Sequence, residues 1–217
     1  MEETGSAADF LPSRTTLPAL RDAVQGCRGC QLYKNASQAV FGDGTRSAAV
    51  MLVGEQPGDQ EDRVGRPFVG PAGKLLDRAL EEAGIERKAT YVTNAVKHFK
   101  WEARGKRRIH AKPSWSEVAA CRPWLEAELA VVKPTVLVLL GAVAAQGLLG
   151  KQFRVTKQRG ELVNSPLAPY VTATIHPSAI LRGEPADRER ELARLVDDLR
   201  KVAAWCGPKR GSRSADR

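Results

Sequence analysis

The sequence predicts an α/β fold, in which a single domain has a central, mainly parallel four-stranded sheet flanked by helices. Two observations support this prediction. Short apolar runs alternate along the chain with amphipathic segments, which is the pattern of parallel strands joined by helical crossovers. The run Thr135-Val-Leu-Val-Leu-Leu140 is apolar throughout, as is typical of a strand buried on both faces of a sheet.

Each element has its own signal in the chain. The four expected strands are runs of apolar and β-branched residues at 48–53, 90–93, 135–140 and 170–175. The expected helices repeat apolar residues at intervals of three and four, and they lie at 17–24, 75–83, 118–129, 142–149 and 187–205. Segments 59–70 and 97–113 are expected to be loops, and 154–162 a hairpin or an irregular strand.

The domain is expected to span residues 17–206. Residues 1–16 have the composition of a flexible N-terminal segment, and residues 207–217 that of a disordered basic tail. The net charge is +9, and most of it lies outside this tail. An anionic partner such as nucleic acid is therefore favoured, with simple solubility as the alternative.

Three of the predicted strands end at side chains that can take part in chemistry. Glu55 and Gln56 follow the first strand and its closing glycine, Asn94 ends the second, and His176 ends the last. Ligands bind beyond the carboxyl ends of parallel strands, so these residues are expected to meet. A carboxylate or an amide can orient a base or a water molecule, and a histidine can stabilise developing negative charge.

Phe68 and Asn94 are candidates for holding a flat base. Phe68 lies in the rigid loop Gly65-Arg-Pro-Phe-Val-Gly-Pro-Ala-Gly73, where its ring could stack on a base, although a core position is the commoner alternative. Asn94 could pair with a donor and an acceptor on a base edge, and its alternative is a turn or a helix cap.

The segment Lys106-Arg107-Arg108-Ile-His110 places a histidine among cations. The three basic residues are candidate phosphate contacts. Because nearby cations lower the pKa of an imidazole, His110 is expected to stay neutral and could act as a nucleophile. The alternative is a solvated surface histidine.

A second DNA-facing candidate is the segment that follows His176. Ser178 and Arg182 flank the apolar residues Ala-Ile-Leu. Such a wedge could fill the space left by a flipped base, or the segment could simply be a helix start with a capping serine.

Cys27, Cys30, His98 and Cys121 form a candidate metal set. The first two have C-x-x-C spacing, and thiolates suit either zinc or an iron–sulfur cluster. Four unrelated buried cysteines are the alternative, and Cys206 is expected to be a packed or free thiol.

Several motifs resemble those of the family-four uracil-DNA glycosylases. The motifs are Gly54-Glu-x-Pro-Gly58, Gly65-Arg-Pro-Phe-Val-Gly-x-Ala-Gly73, Asn94-Ala-Val-Lys97, His176-Pro-Ser178 and the cysteines Cys27, Cys30 and Cys121. The likeness runs from about Cys27 to Arg200. Gln56, His98 in place of a third cluster cysteine, and the insertion ending at His110 depart from that family and resemble its cross-linking branch, UdgX.

The resemblance implies a uracil-DNA glycosylase with a [4Fe–4S] cluster held by Cys27, Cys30, His98 and Cys121. Phe68, Asn94 and Gln56 would hold flipped uracil, and His176 would also contact it and stabilise the leaving anion. His110 would then bond covalently to C1′ of the abasic sugar, with Glu55 orienting it or accepting its proton and Gln56 in support. Uracil-containing DNA, single- or double-stranded, is the implied partner.

Two other functions stay open. One is an ordinary multi-turnover glycosylase in which His110 only contacts DNA, and the other is a non-catalytic iron–sulfur or zinc DNA-binding module. No apolar run approaches the roughly 20 residues of a membrane span, and the N-terminus lacks a signal-peptide pattern. We therefore expect a cytoplasmic, bacterial, monomeric protein that is nucleoid-associated when bound to DNA.

Overall fold

The chain folds around a mixed five-stranded sheet in a computed structural model that describes residues 5–206. Its strands are β1 (Asp43–Gly44), β2 (Val50–Gly54), β3 (Thr90–Asn94), β6 (Val136–Leu140) and β7 (Tyr170–Thr174). Their order is β1-β3-β2-β6-β7, and all neighbours are parallel except β1 with β3. The mainly parallel sheet is thus confirmed, but it has five strands instead of four, because β1 is too short to show a period.

Eight α-helices are present among the described residues. They are α1 (Leu17–Val24), α2 (Asp59–Val64), α3 (Pro71–Glu82), α4 (Trp115–Val132), α5 (Ala142–Leu149), α6 (Val155–Gln158), α7 (Pro177–Arg182) and α8 (Arg188–Trp205). Helices α1, α4 and α5 cover one face of the sheet, and α3, α7 and α8 cover the other. Strand β2 contributes side chains to both faces. Met51 and Val53 pack in the core beneath α1, α4 and α5, whereas Val50 and Leu52 pack in the core beneath α3, α7 and α8.

Both segments predicted as loops contain regular structure. The first includes α2, in which the Glu61 carboxylate accepts a hydrogen bond from the backbone N–H of Gly58 at 3.1 Å. The second contains the antiparallel hairpin of β4 (Trp101–Arg104) and β5 (Arg107–His110). A two-residue turn joins these strands, and its Gly105 has a φ of +60°, which suits the turns that match strand twist. The segment 154–162 is helical at α6, not a hairpin.

The N-terminal segment also differs from the prediction where it is described. Residues Ala7–Phe10 form a 3₁₀ helix, and Ala7 is buried in the core beside α4. The 3₁₀ helix Ala7–Phe10 is therefore packed against the domain, while residues 13–15 are exposed. Residues 1–4 and the predicted tail at 207–217 lie outside the described residues. None of the described helices is long and apolar enough to cross a membrane.

A buried ion pair joins the end of β3 to α4. The Lys97 ammonium contacts the Glu128 carboxylate, and both side chains are wholly inaccessible to solvent. Lys97 Nζ also donates to Thr93 Oγ1 at 2.7 Å and to the backbone oxygen of Asn94 at 2.9 Å. Glu128 Oε1 accepts from Tyr91 Oη at 2.9 Å and from the Gly42 N–H at 3.1 Å. The charges are thus fully paired and hydrogen-bonded, as burial requires.

Breaking this pair should strongly destabilise the fold. We expect Lys97→Met to lower the free energy of unfolding by about 3–5 kcal/mol, because Glu128 is left as an uncompensated buried charge. The variant Lys97→Met/Glu128→Gln, which removes both charges and keeps an acceptor for Tyr91, should recover much of the loss. Urea unfolding followed by circular dichroism measures both. Equal losses in the single and double variants would contradict this account.

Candidate active site

Side chains from three separate segments meet at Gly54, at the carboxyl edge of the sheet, and the space next to them is called the pocket. A Cβ atom placed on Gly54 would stand 2.8 Å from Phe68 Cζ and 3.3 Å from His176 Nε2, and it would overlap Asn94 Oδ1. Three predicted site residues from separate segments therefore converge on one point. Only glycine permits their close approach to the strand backbone.

Phe68 is held in an unusual backbone conformation. Its φ is +57°, a region that non-glycine residues seldom adopt and that costs roughly 1–3 kcal/mol. Its ring stacks on that of His176 with centroids 5.9 Å apart and an interplanar angle of 26°. Because the loop fixes this strained conformation, Phe68 is positioned as a wall of the pocket.

Hydrogen bonds fix the orientation of His176. Its Nδ1 accepts from the Ser178 N–H at 3.1 Å and lies 2.8 Å from Ser178 Oγ, which in turn accepts from Arg182 Nη1 at 3.0 Å. A ring nitrogen that accepts carries no proton, so the proton of the neutral ring is on Nε2, the atom nearest Gly54. Burial lowers the pKa of His176 to about 4, and the charge of Arg182 contributes. His176 thus offers a neutral N–H donor to the pocket.

Glu55 and His110 face each other beside this pocket. His110 Nε2 lies 3.5 Å from Glu55 Oε1, although the two residues come from different elements. Burial raises the pKa of Glu55, which the charges of Lys112 and Arg182 partly offset. Burial also lowers the pKa of His110, and Arg182 adds to this effect. His110 is therefore neutral at physiological pH, and 45% of its side chain is exposed, so a substrate can reach it.

Gln56 fastens the hairpin that carries His110. Its Nε2 donates to the backbone oxygens of Lys100 at 3.1 Å and Ala111 at 3.0 Å, while its Oε1 accepts from the Lys100 N–H at 3.0 Å. Both amide protons are used by the two ends of the hairpin. The structure therefore gives the side chain of Gln56 a positioning role instead of the predicted direct contact with a base.

Arg108 also differs from its predicted role as a phosphate contact. Its guanidinium binds Asp59 Oδ1 and Asp62 Oδ2 at 2.6 Å each and packs over the rings of Phe99 and Trp101 at 5.5 Å. It anchors the hairpin to α2. Lys106 and Arg107 are exposed at the hairpin turn and remain available to an anionic ligand.

The apolar wedge predicted for α7, Ala-Ile-Leu at 179–181, is wrong for its central residue. Ile180 is buried in the core at 3% exposure, so it cannot enter a DNA stack. Leu181 is half-buried and Arg182 is exposed. Ser178 and Arg182 lie at the surface of the pocket through their bonds to His176 and to each other.

The predicted metal ligands are all buried. Cys121 lies within electrostatic range of both Cys27 and Cys30, and its thiol accepts from the Lys97 N–H at 3.2 Å. Trp124 Nε1 donates to the sulfur of Cys27, also at 3.2 Å. Burial raises the pKa of Cys121 to about 12 and lowers that of His98 to about 4. Across residues 5–206, however, no three histidine, cysteine or carboxylate side chains are arranged around a common metal position.

Three contributors to the site were missed in the sequence. Asp59 and Asp62 anchor Arg108, and Lys97 anchors the backbone of Asn94. The two aspartates are three residues apart, a spacing that places both on one face of a helix, and this was the available signal for α2 but not for its contact with the hairpin.

The sequence comparisons agree with this arrangement. The family model for the uracil DNA glycosylase superfamily matches residues 41–200, which include the pocket and the hairpin. The chain belongs to the uracil-DNA glycosylase superfamily. The predicted uracil-DNA glycosylase identity is thereby confirmed.

Individual glycosylases align over most of this chain. The type-4 uracil-DNA glycosylase of Thermotoga maritima is 37% identical over 186 residues, which are 85% of this chain and 91% of that protein. The type-4 enzyme of Pyrobaculum aerophilum is 35% identical over 79% of this chain and 87% of its own length. The type-5 uracil-DNA glycosylase of the same organism is 31% identical over 88% and 87%. The similarity to type 4 supports the predicted family-four kinship.

Gly54 should be intolerant of any side chain. We expect Gly54→Ala to reduce the rate of uracil release about 100-fold, since displacement of reacting groups by about 1 Å costs that much. Release of free uracil from a labelled oligonucleotide measures the rate. A control, Gly84→Ala, adds a methyl group at a site with open space around it, although its positive φ carries some backbone strain. A Gly54→Ala enzyme with full activity would contradict the assigned pocket.

The charge of Arg182 should set the acid limit of activity. Because Arg182 lowers the pKa values of His176 and His110, we expect Arg182→Gln to raise both and to move the acid limb of the pH–rate profile to higher pH. Arg182→Lys keeps the charge and should move it less. Rates measured at saturating enzyme separate this effect from weaker DNA binding. An acid limb that stays in place in Arg182→Gln would exclude the electrostatic role.

Proposed function

We propose that this glycosylase excises uracil from DNA and then bonds to the abasic sugar through His110, in a single turnover. The observation that carries the proposal is the 3.5 Å approach of His110 Nε2 to Glu55 Oε1 beside the pocket of Asn94, Phe68 and His176. In that position a neutral imidazole and a potential proton acceptor flank the site where C1′ of a flipped nucleotide would lie.

The first step breaks the N-glycosidic bond. Phe68 stacks on the flipped uracil and Asn94 pairs with its edge, while the Nε2–H of His176 donates to the oxygen on which charge develops. The bonding electron pair leaves with uracil as an anion, and an oxocarbenium ion remains at C1′. A neutral histidine donor suits this role because its proton is fixed on Nε2 by the bonds to Ser178.

The second step captures the sugar. The unprotonated ring nitrogen of His110 donates its lone pair to C1′, and the resulting cationic ring passes a proton to the Glu55 carboxylate. The departed uracil anion takes a proton from solvent. An imidazole held against C1′ can have an effective molarity of about 10⁵–10⁸ M, so it outcompetes water for the cation.

The hairpin provides the rigidity that this capture needs. Gln56 closes its base, and the Arg108 ion pairs with Asp59 and Asp62 hold β5 against α2. Two independent fastenings on one short hairpin support a role in which the position of His110 matters. A histidine that only contacted phosphate would not require them.

A multi-turnover glycosylase is the second candidate function. Glu55 is partly buried with a raised pKa, which is also suitable for a base that activates water. In that case the His110 side chain would only contact DNA. A non-catalytic binding module fits less well, because it has no use for a neutral histidine donor converging with Asn94 and Phe68.

We further propose that Cys27, Cys30, His98 and Cys121 hold a [4Fe–4S] cluster. The donor chemistry fits, since the three thiols share one buried region and two N–H groups at 3.2 Å point at their sulfurs, as is common around cluster ligands. The cluster would crosslink the segment after α1, which carries Cys27 and Cys30, to α4, which carries Cys121, and it would have no part in the glycosidic step. An as-purified protein that is brown, with iron and sulfide in equal amounts, is expected. Stoichiometric zinc in a colourless protein would contradict the proposal.

Lys106, Arg107, Ser178 and Arg182 are the proposed DNA contacts around the pocket. Lys106 and Arg107 are exposed at the hairpin turn, and Ser178 and Arg182 are bonded to each other beside His176. The proposed partner is uracil-containing DNA bound by one copy of the chain, and nucleoid association would follow from that binding.

Replacement of His110 separates the two candidate functions. Wild-type protein mixed with a uracil oligonucleotide should give a band of combined mass that survives heat and detergent. His110→Ala should lose this band and instead release uracil with turnover, because water then reaches C1′. Glu102→Ala, which changes an exposed residue of the same hairpin that is not among the proposed DNA contacts, is the matched control and should keep the band.

Two results would contradict the covalent mechanism. One is a heat-stable adduct with His110→Ala. The other is a wild-type enzyme that turns over many oligonucleotides and leaves only alkali-labile sites.

A further inference from the structure

A groove between α4 and α5 carries a combination of groups that the proposed reaction does not use. It has a volume of about 540 Å³. Its floor is apolar and is formed by residues such as Val118, Leu125 and Leu148, and the cations Arg122 and Lys151 lie along it. Trp115, the first residue of α4, stands at its upper end with 38% of its surface exposed.

The groove lies next to the strand end that carries Asn94. Its lining includes Ala95, the residue after Asn94. Lys112 lies over the Trp115 ring at 5.8 Å and also acts electrostatically on Glu55. The Lys112 side chain thus lies near both the Trp115 ring and the Glu55 carboxylate. A DNA strand that leaves the uracil pocket on the side of Lys112 would meet this ring.

The charges around the groove favour an anion. Two nearby carboxylates are already neutralised, because Glu117 pairs with Lys100 at 2.9 Å and Glu126 with Arg122 at 2.7 Å. Lys112 and Lys151 are exposed and are available for phosphates. An exposed indole with cations on either side of an apolar floor matches the construction of single-strand binding sites, where bases stack on aromatic rings and the backbone follows the cations.

We propose that Trp115 and this groove form a subsite for an unpaired nucleotide beside the uracil, with Lys112 and Lys151 contacting the strand's phosphates. The subsite rests on the proposed action on uracil-containing DNA and deepens it. It gives the enzyme a preference for single-stranded substrates, since in a duplex the neighbouring base is already paired and stacked and has no free face for the indole.

The test uses single-stranded oligonucleotides that carry one uracil. Each nucleotide on either side is replaced in turn by an abasic analogue, and the second-order rate of uracil release is measured. For wild-type protein one flanking position should show a roughly 5- to 150-fold loss, the range expected for one stacked base. Trp115→Ala should lose a similar factor with intact oligonucleotides and show no further loss at that position.

Two variants control for indirect effects. Trp115→Phe keeps an aromatic face and should retain most of the rate. Leu162→Ala removes an apolar side chain that is 54% exposed elsewhere on the surface and should behave as wild type. The Trp115→Ala effect should be several-fold smaller on a duplex carrying the same uracil.

The outcomes distinguish the subsite from the reaction. If Trp115→Ala keeps both the wild-type rate and the wild-type dependence on the flanking base, the subsite is wrong and the glycosylase function stands. If wild-type protein releases no uracil, the proposed function fails. The subsite is then judged from fluorescence anisotropy with uracil-free strands, where equal affinities of wild-type and Trp115→Ala protein overturn it. An unchanged DNA affinity together with a peptide bound in the groove would also overturn it.

Discussion

The buried pair of Lys97 and Glu128 is the interaction on which the rest of the site depends. The Lys97 ammonium donates to the backbone oxygen of Asn94 and so fixes its position. The Glu128 carboxylate, which belongs to α4, accepts from Thr93 on β3 and from the N–H of Gly42. The same short segment binds the first motif, because the N–H groups of Ala95 and Val96 donate to the backbone oxygens of Gly54 and Glu55 at 2.9 and 3.0 Å. The backbone that carries Asn94 and the backbone that carries Glu55 are therefore both connected to one buried charge pair.

This segment also connects the pocket to the buried thiols. The N–H of Lys97 donates to Cys121, and His98 is the next residue. A cluster bound there would stiffen the backbone that positions Asn94. A cluster at these thiols would therefore affect the geometry of the pocket without taking part in bond cleavage.

Electrostatics keeps two histidines neutral within a strongly basic protein. Burial is the larger cause in both His110 and His176, and Arg182 adds to it by like-charge repulsion. The cations near the pocket thus have two consequences. They attract the DNA backbone, and they keep the imidazoles in the form that can donate an N–H or attack a carbon atom. Arg108 does not share this second role, since its guanidinium is paired with Asp59 and Asp62.

The sequence by itself determined the parallel sheet and the residues at its carboxyl edge. Apolar runs of strand length are local signals, and chemical side chains directly after them must share one edge whatever the details of packing. Gly54, Asn94 and His176 were identifiable for this reason, and the linear order of the motifs was enough to indicate the family.

Tertiary structure alone decided how the basic segment is used. The sequence could not show that Lys106–His110 is half of a hairpin, because its strands are short and mostly exposed, and an exposed two-stranded ribbon has little hydrophobic period. It could not show that Gln56 and Arg108 fasten that hairpin, since their partners lie about 45 residues away along the chain. The two-residue strand β1, the packing of residues 7–10 and the approach of His110 to Glu55 likewise follow from contacts between distant segments, which no local pattern encodes.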